Sequence, residues 1–266
     1  MEIVRTYKFR QFIEEMNQYA NHENYSRTYM PDGFFCNVTW EQALKQARYG
    51  IKNQAKIEKI ISSMSLLEAV KTKGFGMAET GLCVDVGTYL NGEPECWIAE
   101  QYEYKPKKQI KILVNVACAG SYNVRQIENR GAGIISLIQM LKKQGYIIKI
   151  NLYDGTYKNG DRYICFMQVP SNPLDIQSLS YAICSPSLPR RFIFAWEEQQ
   201  FNNRNPRGGY GSPCKVNEVA LSKDIIHFEG LDCEKCDYQD EESTKQYIMN
   251  LFDEFLRLNN DKKADE

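Results

Sequence analysis

Histidine is almost missing from this chain: 266 residues carry two, His22 and His227. A histidine-rich metal site and a histidine-relay enzyme of ordinary design both need more than that. Long apolar runs are missing as well. None approaches the roughly 18 residues a membrane helix requires, and Met1 to Met16 is charged throughout, without the apolar stretch of a signal peptide. Nor does one sign of charge prevail. The 33 Lys and Arg stand against 34 Asp and Glu, which argues against a general binder of polyanions. Internal repeats and long low-complexity segments are also absent. Cysteine, by contrast, is plentiful at nine scattered positions. An odd number in a chain of this size suits a reducing compartment better than a disulfide framework. These exclusions leave a soluble, cytoplasmic, globular protein with no membrane contact, no cofactor and no obvious enzymatic signature.

Hydrophobic periodicity divides what is there into two regions. In residues 1–104, Phe9, Phe12, Ile13 and Met16 mark a helical stripe over Phe9 to Tyr19. Thr39, with Gln42 three residues on, predicts a capping box and a helix from Trp40 to Tyr49, stopped by Gly50. Ile57, Ile60, Ile61, Met64 and Leu67 predict a longer amphipathic helix ending near Gly74. Short strands follow, Cys83 to Gly87 and Cys96 to Ala99, around the turn-rich Asn91 to Pro94. Basic Lys105 to Lys108 leads into residues 109–258, where strands and helices alternate. Ile110 to Val116 reads as a strand buried on both faces, Ala117 to Asn123 as a loop, and Ile127 to Gly145 as a helix. Strands Ile147 to Tyr153 and Arg162 to Val169 form an antiparallel hairpin, its turn bracketed by Asp154-Gly155 and Asn159-Gly160. A helix over Pro173 to Cys184, strands Arg191 to Trp196 and Lys223 to Phe228, and a helix over Glu241 to Leu258 complete the region. Residues 259–266 are expected to be disordered. The alternation predicts an α/β fold, an open, mostly parallel sheet with helices on both faces, preceded by an N-terminal α+β region.

The order of strand, small-residue loop, helix, strand and antiparallel strand resembles the Rossmann-like von Willebrand factor A fold over residues 109–258. Asn115-Val116-Ala117-Cys118-Ala119-Gly120-Ser121 stands where that family carries its metal-binding loop. The family places an Asp there, with serines two and four residues later; here those positions are Asn115, Ala117 and Ala119. A hard cation needs several oxygen ligands with negative charge among them, so the resemblance implies a degenerate loop that holds no metal. The whole chain also resembles uncharacterised tailed-phage proteins, some of which accompany AAA+ ATPases of the MoxR type. Trp40 to Ala43, Asp85 to Pro94, Asn129 to Ala132 and Arg190 to Phe192 carry that resemblance. It implies the host cytoplasm and an AAA+ partner, and no established activity.

Ligands of an open α/β sheet sit outside the carboxyl ends of its strands. That edge collects Asn115, Ser121, Asp154 and Glu197, with Arg130 starting the first helix. Arg130 could hold a carboxylate or phosphate beside the helix amides, or pair with Asp154 or Glu197 and fix the loops. Arg204, Arg207 and Tyr210 lie in a glycine-rich stretch that suits contact with a phosphate or a base, or simply an exposed connection. It has neither a Walker ending nor dinucleotide spacing. Cys214, His227, Cys233 and Cys236 could supply four zinc ligands. Against zinc, the single C-x2-C lacks a matched pair, and His227 sits inside a strand as a hydrogen-bonded structural residue would. Cys118 has no histidine placed beside it and reads as a buried thiol. Asp85, Glu93 and Glu95 read as turn chemistry. Tyr19, Tyr25, Tyr29, Phe34 and Phe35 form either a small core or a partner-facing surface.

The reading that results is a non-enzymatic protein-interaction module, with an AAA+ ATPase among its candidate partners. A nucleotide or nucleic-acid binding protein or enzyme using the carboxyl edge is the alternative, and a virion structural component the second.

Overall fold

The computed structural model describes residues 2–20, 25–27, 38–51, 54–63, 74–101, 109–118, 120–158, 160–201, 225–231 and 236–260. Its main sheet contains β1 (Glu2–Lys8), β5 (Gln109–Asn115), β6 (Ile147–Lys158), β7 (Asp161–Val169) and β8 (Ile225–Phe228), in the order β1-β7-β6-β5-β8. Three of the four pairings are parallel, and β6 with β7 is the antiparallel hairpin. The fold is therefore α/β with a mostly parallel sheet.

Side-chain alternation gives the sheet two unlike faces. Ile110, Ile112 and Val114 of β5, Ile148, Ile150 and Leu152 of β6, and Cys165, Met167 and Val169 of β7 point into one large core. Every described helix that contributes to a buried cluster with the sheet meets it on this face. These are α1 (Phe9–Tyr19), α2 (Trp40–Tyr49), α3 (Gln54–Ser63), α5 (Val124–Lys143), α6 (Ile176–Cys184), α7 (Phe194–Phe201) and α8 (Glu241–Asn260). The opposite face carries a small cluster made of strand residues, Leu113, Tyr153 and Ile164 with Phe166 and Ile225 beside them. The expected helices on both faces are thus corrected, among the described residues, to helices on one.

Helix α5 lies at the centre of that layer. It is buried almost all round, as a helix inside rather than on the surface of a core must be. Asn123 and Gln126 form its capping box. Two glycines let its neighbours approach. A Cβ on Gly131 would fall 2.4 Å from the Cys184 sulfur and 2.7 Å from the Ile183 carbonyl on α6, and one on Gly133 would press on Thr244 and Ile248 of α8. No described helix is long and apolar enough to cross a membrane.

Several sequence expectations hold closely. Phe9, Phe12, Ile13 and Met16 are the buried stripe of α1. Thr39 and Gln42 form the capping box of α2, and Gly50 ends it with φ 92°. Ile57, Ile60 and Ile61 are buried on α3, while residues 64–73, where that helix was expected to continue, lie outside the described residues.

Two expectations are corrected, and one strand was not expected at all. Arg191 to Trp196 is no strand: Leu188–Ile193 forms a π-helical turn that runs directly into α7. A short run buried on every side has no periodicity to separate helix from strand, and this stretch is buried throughout, Arg191 included. Asp154-Gly155 is not part of a turn but continues β6, which outlasts β5 and pairs on with β7 as far as Lys158. β1 gave no sequence signal, because an edge strand bearing Glu2, Arg5 and Lys8 lacks clean alternation. Through β1, α1, α2 and α3 the sheet and its core draw on both sides of the break read at residues 104–109.

A second, three-stranded antiparallel sheet, β2-β4-β3, is built from β2 (Gly74–Ala78), β3 (Cys83–Val84) and β4 (Trp97–Gln101). One helical turn, α4 (Val86–Leu90), sits between β3 and β4.

Candidate functional site

At the carboxyl edge of the main sheet, backbone carbonyls and amides take up most of the polar side chains. Asn115 sits at the end of β5, and its side-chain oxygen accepts the Ala117 N–H at 2.8 Å, closing its own loop. The following residues are tied to the chain beyond β8. Leu231 N–H reaches the Ala117 carbonyl, Tyr122 donates its hydroxyl to the Leu231 carbonyl, and Asn129 donates to that of Tyr238. Cys118 is buried against Ile127, Leu231 and Tyr238, a packed thiol. Ser121 is exposed in the turn before α5.

Arg130 donates to the Glu229 carbonyl at 2.6 Å. No ion pair among the described residues joins it to Asp154 or Glu197, so that expected pairing is corrected. The sheet order explains why. Arg130 leans toward β8, whereas Asp154 stands on β6, two strand spacings or roughly 10 Å away. Beside Arg130, a cleft lined by Val116, Cys118, Ile127, Ser185 and Leu231 has room for about one water molecule.

Asp154 and Glu197 do come together, on the helical face. Asp154 follows Leu152 into that face and accepts the Gly155 N–H at 2.7 Å. Glu197 arrives not from a strand end but from the first turn of α7, and its Oε2 is buried without a hydrogen-bond donor. Burial pushes the Asp154 carboxyl up to about 7. Burial, then the Asp154 and Glu198 carboxylates, hold that of Glu197 well above its ordinary range. Two desolvated acids of like charge resist ionising together, so this site can hold a proton near neutral pH. Glu198, one residue on, is differently placed: Ser26 donates both its N–H and its hydroxyl to it, at 2.9 and 2.7 Å.

Other candidates resolve separately. His227 pairs with the Tyr153 hydroxyl at 2.8 Å on the opposite face of the sheet. Cys236 packs near Tyr238, and Cys214 and Cys233 lie outside the described residues. Among the described residues no three His, Cys, Asp or Glu side chains gather to hold a metal ion, and no disulfide joins the cysteines. Arg204, Arg207 and Tyr210 also lie outside the described residues, as do Tyr29, Phe34 and Phe35.

Periodicity and spacing do not reveal Arg191 as a buried cation satisfied by main chain. Its guanidinium donates to the Ser26 carbonyl at 2.7 Å and twice to that of Val38, tying the N-terminal segment to the π-helical turn. Trp40 packs against Phe192 next to it, the rings tilted by 52° with centroids 4.7 Å apart.

The small sheet is the reverse of this interior. Asp85 caps α4 by accepting the Thr88 N–H at 2.9 Å and its hydroxyl at 2.7 Å, and these bonds hold its carboxyl below the usual range. Leu82, Val86, Tyr89 and Leu90 are each more than 60% exposed, and Trp97 is at 36%. After Asn91-Gly92 the chain folds back, the Glu93 N–H reaching the Thr88 carbonyl and the Asp85 N–H that of Cys96. Glu93 and Glu95 therefore run alongside the exposed turn. The signal available for this surface was the spacing of Val86, Tyr89 and Leu90, in a segment too short to be a core helix.

No curated protein and no solved structure matches the chain. One family model does, over residues 4–257, from within β1 to near the end of α8. With nearly all of both sheets and the helical layer inside that single match, the chain belongs to the family described as a domain of unknown function (DUF7192).

Proposed function

We propose that this protein is a non-enzymatic interaction module of the cytoplasm, which docks through its small sheet rather than through the carboxyl edge of its large one. The observation that carries this reading is a concentration of exposed apolar surface. Of ten large hydrophobic side chains exposed among the described residues, five lie between Leu82 and Trp97. Val86, Tyr89 and Leu90 are spaced i, i+3, i+4, which aligns them on one side of α4. Single exposed apolar residues need no explanation, whereas a cluster marks an association surface. At the carboxyl edge, by contrast, side chains that could receive a ligand are engaged by neighbouring main chain. The order β7-β6-β5-β8, with β7 antiparallel, supports a von Willebrand factor A-like reading of residues 109–258. The tailed-phage resemblance makes an AAA+ ATPase the first partner to test.

Affinity capture at near-native abundance tests the reading, comparing the chain with Leu82→Ser/Leu90→Ser. Both leucines are exposed, so the variant should stay within about 1 kcal/mol of the parent in stability. A stoichiometric partner, crosslinked from a photoreactive group at position 89 and lost at least about tenfold in the variant, is the expected result. Identical recoveries from the two proteins, or no partner, would overturn it.

A further inference from the structure

We infer that the surface around α4 receives a basic, apolar partner: a protein segment whose leucine-like side chains are flanked by Lys or Arg. The inference rests on the docking reading above and adds the chemistry of the occupant.

Charge complementarity carries it. The chain as a whole is balanced, yet between Lys73 and Lys105 it contains Glu79, Asp85, Glu93, Glu95, Glu100 and Glu103, with no Lys or Arg. Glu79, Glu93 and Glu95 are exposed. Asp85 is committed to its cap, so the free negative charge described at the rim comes from Glu79, Glu93 and Glu95. The Glu93 amide bond to Thr88 and the Asp85 bond to Cys96 lay the acidic return segment against the turn that presents Val86, Tyr89 and Leu90. Apolar contact area and an anionic border therefore belong to one surface. An acidic or neutral apolar partner would meet like charge or leave these carboxylates unpaired on docking, and a basic one would be drawn in by them. The surrounding field also predicts that salt weakens the association, because exposed charges are screened over a Debye length of about 8 Å at physiological ionic strength.

Trp97 provides the readout. It is exposed at one end of β4, paired with Val84 of β3, whereas Trp40 and Trp196 are buried, so acrylamide reaches Trp97 first. Two synthetic amphipathic peptides serve as probes, alike in their leucines and carrying either lysines or glutamates between them. The Leu/Lys peptide should protect Trp97 from acrylamide and shift its emission to the blue, and the Leu/Glu peptide should not. Raising salt from about 50 to about 500 mM should weaken the Leu/Lys complex at least about tenfold. Glu93→Lys/Glu95→Lys should reverse the preference, and Leu82→Ser/Leu90→Ser should abolish protection by either peptide. Equal, salt-independent protection by both peptides would overturn the basic partner. So would an unreversed preference in the charge variant, and so would failure of both peptides. The capture experiment decides the docking reading separately. A partner lost with Leu82→Ser/Leu90→Ser but retained at full strength with Glu93→Lys/Glu95→Lys keeps the docking surface and removes the basic partner.

Discussion

In the layer around α5, the charged side chains of Glu128, Arg130 and Arg191 are buried and engaged. Glu128 takes an ion pair from Lys56, Arg130 and Arg191 donate to carbonyls, and apolar side chains from the sheet and six other helices close over them. Around α4 the assignment is exchanged: Glu93 and Glu95 are in water, and so are Leu82, Tyr89 and Leu90. Most buried helices keep charge out and most surface turns keep leucine in. The difference teaches where each region's stability comes from. The α5 layer is held by shape and by geometrically fixed bonds, so small changes there should be costly. The α4 turn is held by a cap and a strand return, and its apolar side chains contribute little to the fold.

Five substitutions would break or sharpen that contrast. Gly131→Ala should be the most damaging, about 3 kcal/mol or more, because its methyl meets the α6 backbone as well as the Cys184 sulfur. Gly92, at φ 73° with open space around it, should cost about 1 kcal/mol for the same change. Urea unfolding of the two variants compares them directly. Arg191→Met should cost roughly 2–4 kcal/mol, since it leaves the Ser26 and Val38 carbonyls without their donor. Thermal melts check it.

Asp154→Asn should act in the opposite direction and depend on pH. The folded chain holds protons on Asp154 and Glu197 through a window in which the unfolded chain has lost them, from the ordinary carboxylate range up to about 7 for Asp154. The unfolded state therefore binds fewer protons there, and stability falls as pH rises through the window. Asn at 154 removes one of the two acids, so the variant should gain on the order of 1–3 kcal/mol over the parent at pH 8 and nothing at pH 4. Chemical denaturation at both values decides the sign. An effect as small as that at Gly92, about 1 kcal/mol, should come from Asp85→Ala, by loss of the α4 cap. Hydrogen exchange should show faster amides over residues 86–92, while those of α5 stay protected.

Local chemistry was legible in the sequence wherever it was self-contained. Thr39 with Gln42, the stripe of α1, and the β6–β7 hairpin each announce themselves within about two dozen consecutive residues. What could not be read depended on distant neighbours. Arg191 to Trp196 lacks periodicity because its surroundings are apolar on all sides, and β1 is a strand only because β7 lies beside it. For the candidate site, Asp154 and Glu197 were identified and do lie near each other, but Glu197 comes from a helix. Arg130 was expected beside them and faces a strand on the far side of β5. Sequence spacing cannot report lateral order across a sheet, and that order decided which charges meet.

β1 also sets a schedule for synthesis. Its register pairs Glu2 with Arg162, 160 residues later in the chain. At about 5–20 residues per second, this strand waits roughly 8–30 s before its partner has been translated. During that interval an unpaired strand is exposed to every other nascent chain. Glu2, Arg5 and Lys8 place charge at regular intervals along it, which discourages edge pairing with the wrong neighbour. The residues that hid β1 from a periodicity search are the ones that guard it until β7 emerges.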